Sequence, residues 1–348
     1  MKHNKIITHN CGGAGIRVSD EVLKSVAELG DGFADIVFNY LDTTDANIKN
    51  IEHDEKRLWL VKSKDFNGNA VSGSGAERAT NAPVIMESVK DYLDNRGYKT
   101  LVGGEYHLVI SSAAGGSGAV ISAMVIKSLL ERNIPTIALL IGDSSNELSA
   151  KNTVKSLATL NNIAKQTKKP VSTIYINNTD YTVNNGGLRD AENSANKTIF
   201  NSISTLAVFL SGCNDALDDQ DMLSIIDQSI YKSIDIKPGL YGLSTFSKDI
   251  VLQDNTKPTV ARTLTLPNKS ADINVSLRHS KAGNLVVENV IEIFGDQIPI
   301  HLVTYSNIVS AEVGSLNKAI EAFEESMRLI EIDDLEVDGD VDDSGLVF

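Results

Sequence analysis

Two glycine clusters and one pair of acids carry the residue types from which a reaction could be built. Gly12-Gly13-Ala14-Gly15 and Gly115-Gly116-Ser117-Gly118 each stand where a short apolar run ends and a helical pattern begins. At such a junction, unpaired backbone amides and the positive end of the helix dipole can hold phosphate oxygens, and glycine lets the main chain come close. One cluster alone also reads as a packing turn. Two in one sheet point to a phosphate ligand, because such ligands collect beyond the carboxyl ends of strands. Asp218 and Asp221 lie three apart at the start of a helical stretch and project on one face. Alone, they read as an N-cap with a favourable acid in the first turn. The six histidines form no HxxxH or HExxH arrangement, so a catalytic metal site has little support.

The known glycine loops can be tested on their required residues. No Gly-Lys pair occurs, which removes a Walker A loop. GxGxxG also fails, since Val18 and Ile121 stand where its last glycine belongs. A dinucleotide-dependent oxidoreductase of similar sheet topology is therefore a secondary reading.

The elements that must position these residues follow from hydrophobic periodicity. Strands are expected at Lys5 to Thr8, Asp35 to Leu41, His107 to Ser111, Thr136 to Ile141 and Val171 to Ile176. Helices are expected through Val22 to Leu29, near Val84 to Asn95, and over Val120 to Arg132 and Ala150 to Lys165. Strands alternating with crossover helices imply a parallel, doubly wound α/β sheet. A long helix, Leu188 to Leu210, shows apolar residues at Ala195, Ile199, Ile203, Leu206 and Leu210 and reads as a spine. Beyond it, strands at Gly239 to Ser247, Thr259 to Thr265, Val286 to Phe294 and Pro299 to Tyr305 suggest a smaller α+β domain. A last helix, Ala311 to Ile330, leads into an acidic tail. The expected division is 1–186, 187–212, 213–310, 311–330 and 331–348.

Composition bounds the function. The chain has 348 residues, 42% apolar and 22% charged, as in an ordinary water-soluble globular protein. A net charge of −14 argues against a nonspecific nucleic-acid binder. Eight acids and no Lys or Arg fall between Glu331 and Phe348, so much of that excess sits in the last residues. Cys11 and Cys213 fit no disulfide framework or zinc spacing. No run approaches the roughly 18 apolar residues of a membrane span, and MKHNKIITHN lacks a signal-peptide core. A reducing cytoplasm is the expectation, with no membrane and no direct nucleic-acid partner.

The run SSAAGGSGA, Ser111 to Ala119, resembles the signature loop of the tubulin/FtsZ GTPases, usually GGG(S/T)G(S/T/G), with Ala114 in place of the first glycine. Other loops follow in that family's order: CGGAG after the first strand, LDTTDAN (Leu41 to Asn47) after the second, then GSGAER (Gly73 to Arg78). INNT (Ile176 to Thr179) and LDDQD (Leu217 to Asp221) complete the series. The short chain, the DTTDAN motif and the ending IDDLEVDGDVDDSGLVF further resemble the phage-encoded subgroup. Plasmid or prophage segregation tubulins, the nearest alternative, usually carry a basic tail instead.

The resemblance implies a tubulin-like GTPase domain, a central helix, a second domain, and GTP or GDP with Mg²⁺ as ligands. It implies phosphate contacts from Cys11, Gly12, Gly13, Gly15, Ala114, Gly115, Gly116, Ser117 and Gly118, with Thr43 and Gly73 in the neighbouring loops. Asp42 and Asp45 would stand near the γ-phosphate or its ion, with no full protein cage for the metal. Glu147 corresponds to the ribose-binding acid, Asn178 and Asn196 to readers of the guanine edge, and Arg17 stands where an Asn is usual. Asp218 and Asp221 would complete the site of an adjoining subunit by positioning the attacking water, although Ala216 replaces a usual Asn. The implied partner is the chain itself, in a head-to-tail polymer whose acidic tail docks on a neighbour. The implied setting is the cytoplasm of an infected bacterium, where such filaments position phage DNA or its replication compartment.

Overall fold

A computed structural model of the chain describes residues 4–49, 51–65, 67–70, 78–181, 188–230, 236–247, 257–269, 279–306 and 308–332. β1 (Lys5–Cys11) leads into a helical run of α1 (Gly12–Val18), a π-helical turn (Ser19–Leu23) and α2 (Lys24–Ala27). β2 (Asp35–Asp42), β3 (Leu58–Leu60), α3 (Arg78–Asn95), β4 (Glu105–Ser112) and α4 (Ser117–Glu131) follow. Next come β5 (Thr136–Gly142), α5 (Glu147–Thr167), β6 (Val171–Asn177) and the long α6 (Leu188–Ser211). The remainder is α7 (Asp219–Ile226), β7 (Leu240–Ser247), β8 (Lys257–Thr265), β9 (His279–Asn284), α8 (Glu288–Phe294), β10 (Ile300–Ser306) and α9 (Ile308–Ile332).

The strands form one sheet in the order β3-β2-β1-β4-β5-β6-β7-β10-β8-β9. From β3 to β7 each pairing is parallel. β10 then runs antiparallel to β7 and β8, and β9 lies parallel to β8. Side chains alternate across this sheet, so Leu108, Ile110 and Leu139 face one layer while Val109, Ala138 and Leu140 face the other. The first layer holds the α1–α2 run, α6, α7 and α8, through Val18, Ile199, Ile225 and Val290. The second holds α3, α4, α5 and α9, through Val89, Ile126, Leu160 and Leu316. The expected parallel, doubly wound sheet and its helical spine are thus observed. Four strands of the C-terminal half extend the sheet in mixed orientation.

One expected strand is a helix. Val286 to Phe294 reads as a strand because it is rich in branched apolar residues, yet α8 occupies Glu288–Phe294 and buries Val290 and Phe294, four apart. The strand at that place in the sheet is β9, HSKAGN, whose alternation is hidden because it is a mostly exposed edge strand.

Between β1, β4 and α3 lies a buried polar chain. His9 Nδ1 meets Tyr92 Oη at 2.8 Å, and His9 Nε2 meets His107 Nδ1 at 2.9 Å. Burial pushes the His107 imidazole down to about 4, and burial with the neighbouring His107 pushes His9 well below its ordinary value. Both rings are therefore neutral when folded, and acid favours the unfolded chain, which takes up protons the folded one refuses. Stability present above about pH 6.5 should fall as pH drops toward 4, by up to about 1.4 kcal/mol per unit for each ring. Thermal melts between pH 7.5 and 4.5 should show that loss, with a smaller slope in His107→Gln. Equal slopes in the two proteins would contradict it.

Candidate functional site

The glycine loops meet backbone to backbone at the carboxyl ends of β1 and β4. Gly12 opens α1 with φ +69°, and a Cβ there would stand 2.7 Å from Gly118 Cα. A Cβ on Gly118 would stand 2.8 Å from the Cys11 carbonyl oxygen. Packing of the two loops on each other therefore requires glycine at both positions. α4 starts at Ser117 with Gly116 as its N-cap, and no side chain caps that end. The first-turn amides of this 15-residue helix thus have the free donors and positive dipole end that suit an anion. Cys11 is buried, and burial with the nearby Asp42 pushes its thiol well up, which suits a packing residue rather than a nucleophile.

The loop after β2 closes on the same place. A Cβ on Gly13 would lie 2.9 Å from Asn47 Cγ. Asp42 is buried and accepts from the Thr43 amide and from Asn47 Nδ2, each at 2.7 Å. Desolvation nonetheless raises its pKa above the usual value. Asp45 pairs with Lys49 at 3.3 Å. Among the described residues no group of three or more His, Cys, Asp or Glu side chains could hold a metal. Gly73 lies outside the described residues, as does the stretch beyond Ile332.

The residues expected at a base and ribose lie along the same edge. Asn178 opens a 3₁₀ turn, Asn178–Tyr181, directly after β6. The loops after β5 and β6 are tied together: the Ser144 amide donates to Thr179 Oγ1 at 2.9 Å, and Asn177 Nδ2 donates to Ser144 Oγ at 3.2 Å. Glu147, the first residue of α5, forms an ion pair with Lys151, whose Nζ also reaches Glu324 of α9 at 2.9 Å. Asn196 donates to Glu21 Oε2 at 2.7 Å, and Arg17 stands 3.9 Å from Glu192. Glu21 was not among the expected site residues. Its spacing of four from Arg17 puts both on one helical face, where α6 packs.

α6 then carries the chain to the other end of the sheet, its 24 residues spanning about 36 Å. There Asn4, just before β1, donates to the Leu210 carbonyl at 2.9 Å. Asp218 and Asp221 form a reciprocal capping box at the start of α7: Asp218 Oδ1 accepts from the Asp221 amide at 2.9 Å, and Asp221 Oδ2 from the Asp218 amide at 3.1 Å. The amide bond from Asp221 lowers the Asp218 pKa. Asp218 is exposed, whereas Asp221 is buried against Lys281 Nζ at 2.5 Å and Arg262 Nη2 at 3.5 Å. Tyr106, near the start of β4, donates to Asp219 Oδ1 at 3.2 Å, which fixes this loop at the amino ends of the strands. Lys169, two residues past the end of α5, pairs with Asp227 at 3.3 Å.

A model described as the Tubulin/FtsZ family, GTPase domain, matches residues 5–181. The phage tubulin-like protein of Pseudomonas phage PhiPA3 is 24% identical over 178 residues, covering 51% of this chain and 49% of that protein. That of Pseudomonas phage phiKZ is 24% identical over 231 residues, covering 64% and 62%. The chain thus aligns with about half to three fifths of the length of these curated relatives. Among solved structures, the protofilament of TubZ from Bacteriophage PhiKZ superposes with a TM-score of 0.69 at 19% identity, covering 99% of both chains. The PhuZ201 filament does so with a TM-score of 0.69 at 18% identity, again over 99% of both. The fold is the same in each.

Proposed function

The chain belongs to the Tubulin/FtsZ family, and from that premise we propose that it is a GTPase that polymerises head to tail. GTP is held on the glycine loops of one subunit and hydrolysed against the acid loop of the next. The observation that carries this reading is the separation of the two loops. They lie at opposite ends of the sheet, and β1 alone, seven residues long, spans about 23 Å between them. One chain cannot bring Asp218 to a phosphate on its own Gly12 to Gly15, but stacked copies can.

Within that site Cys11, Gly12, Gly13 and Gly15, with Ala114 to Gly118, offer backbone amides to the phosphates, and Thr43 and Gly73 lie in the flanking loops. Glu147 is assigned to ribose, and Asn178 and Asn196 to guanine. Asp218 presents a carboxylate to the neighbour, and Asp221 sets its position. Phosphoryl transfer depends mainly on such positioning and electrostatics, so a site completed only by contact would be nearly inert in the monomer. Asp42 has its carboxylate oxygens bonded within its own loop, which suits an ion that arrives with the nucleotide and keeps several waters. Mg²⁺ bound there would offset charge on the phosphates.

The polymer is assigned to the cytoplasm of an infected bacterium, where it would position phage DNA or its replication compartment. The acidic segment after Ile332 would dock on a neighbouring subunit. Among the described residues no helix is long and apolar enough to cross a membrane.

Phosphate release per subunit, measured against protein concentration alongside pelleting with GTP, GDP and ATP, tests the shared site. Specific activity should be near zero at low concentration and rise steeply across the assembly threshold, with GTP alone supporting both. A flat dependence would remove the two-chain mechanism.

A further inference from the structure

The acid loop carries more negative charge than an encounter with a triphosphate favours. Asp215, Asp218, Asp219 and Asp221 stand within seven residues, with no Lys or Arg among them. Bringing that loop against another subunit's phosphates would set like charge against like at short range. Compensating positive charge has to come from another element.

Two cations reach the loop among the described residues, and they differ in kind. Arg262 on β8 is 1% exposed, and its guanidinium is bound to the chain's own groups. It donates to the Asp221 carbonyl at 3.3 Å, to Ser224 Oγ at 2.7 Å and to the Ala261 carbonyl at 2.7 Å. Lys281 on the edge strand β9 has its ammonium 2.5 Å from Asp221 Oδ2 while its side chain stays 43% exposed. An ammonium has three donors and acts on phosphate as a point charge. Its bond to Asp221 raises its pKa and holds it at the acid loop.

We propose that Lys281 is a further catalytic residue, the cation that each subunit delivers, aimed by Asp221, to the triphosphate of the adjoining subunit. The proposal rests on the shared-site reading above. In the reaction a water oxygen bonds to the γ-phosphorus as the bond to the β,γ-bridging oxygen breaks. The bridging oxygen leaves with the electron pair as GDP, and the water's proton ends on inorganic phosphate. Lys281 keeps its own proton throughout and offsets the charge that develops on the transferring group and the leaving oxygen. It also lowers the repulsion that Asp215, Asp218 and Asp219 would exert on the incoming phosphates.

The test uses the full chain with Lys281→Met, which keeps length and removes charge, and Lys281→Arg, which keeps charge. Both are assembled with a non-hydrolysable GTP analogue to score filament formation. Single-turnover phosphate release is then measured in GTP filaments, and hydrogen exchange of the α7 amides in the monomer. Lys281→Met should form filaments with the analogue and keep α7 protected, yet release phosphate at least tenfold more slowly, while Lys281→Arg stays within about threefold of the parent. Parental release by Lys281→Met filaments overturns the proposal. Slow release accompanied by lost α7 protection also overturns it, because Lys281 would then only hold Asp221 in place. If the parent chain itself releases no phosphate at any concentration, the GTPase reading falls first and this proposal with it.

Discussion

Asp218→Asn should fold, bind GTP and assemble as the parent does, yet release phosphate about a hundredfold more slowly or worse. Asparagine serves as well as aspartate at an N-cap, so the amide of Asp221 keeps its acceptor and α7 keeps its start. Only the exposed negative charge is lost. The nucleotide is assigned to loops at the other end of the sheet, and binding should not change. A carboxylate that positions or polarises the attacking water typically contributes 10²- to 10⁴-fold, which sets the expected scale. Filaments of the variant should persist after GTP is mixed in, because turnover no longer follows assembly. Nucleotide binding below the assembly threshold and phosphate release above it separate the two properties. Parental release would mean that the loop is a helix cap and nothing more.

Much of this site is legible in the sequence because its requirements are local. Glycine at 12, 13, 15 and 118 answers steric demands set by the nearest strand and loop, so the clusters stand out in any window that spans them. The spine is equally visible, since Ala195, Ile199, Ile203, Leu206 and Leu210 repeat on one helical face and are all buried. The orientation of the acids is not local. Asp218 and Asp221 share a face of α7, yet one is exposed and the other buried, and the difference comes from Arg262 and Lys281, far along the chain. The same limit hides β9, whose polar residues carry no alternation because its outer side is an edge, and it disguises α8. A short stretch such as Val286 to Phe294 is ambiguous until its burial shows a spacing of four. Glu21 is likewise an ordinary surface acid until α6 brings Asn196 to within 2.7 Å of it.

Arg262→Met should be the most destabilising of the substitutions considered. Methionine approximates the aliphatic length but takes the guanidinium's donors from the Asp221 carbonyl, Ser224 Oγ and the Ala261 carbonyl, of which the Asp221 carbonyl still accepts from Ser224 Oγ at 2.6 Å. It also takes one of two counter-charges from a buried carboxylate. Removing one partner of a buried pair typically costs 3–5 kcal/mol. Lys281 still holds Asp221 Oδ2, which argues for the lower end, so about 3 kcal/mol is expected, a fall in Tm of roughly 4 °C for a chain of this length. The cause can be separated from simple loss of packing. Adding Asp221→Asn removes the buried charge that has lost its guanidinium partner, while an amide oxygen still accepts from the Asp218 amide, so the double variant should be more stable than Arg262→Met alone. If the two effects merely added, the guanidinium would be acting through its volume and its neutral hydrogen bonds. The distinction bears on function, because α7 is anchored to β8 and β9 through this cluster. Loosening that anchor would let Asp218 and Lys281 shift from their places together. Arg262→Met should accordingly lose phosphate release more steeply than assembly at a temperature where it remains folded.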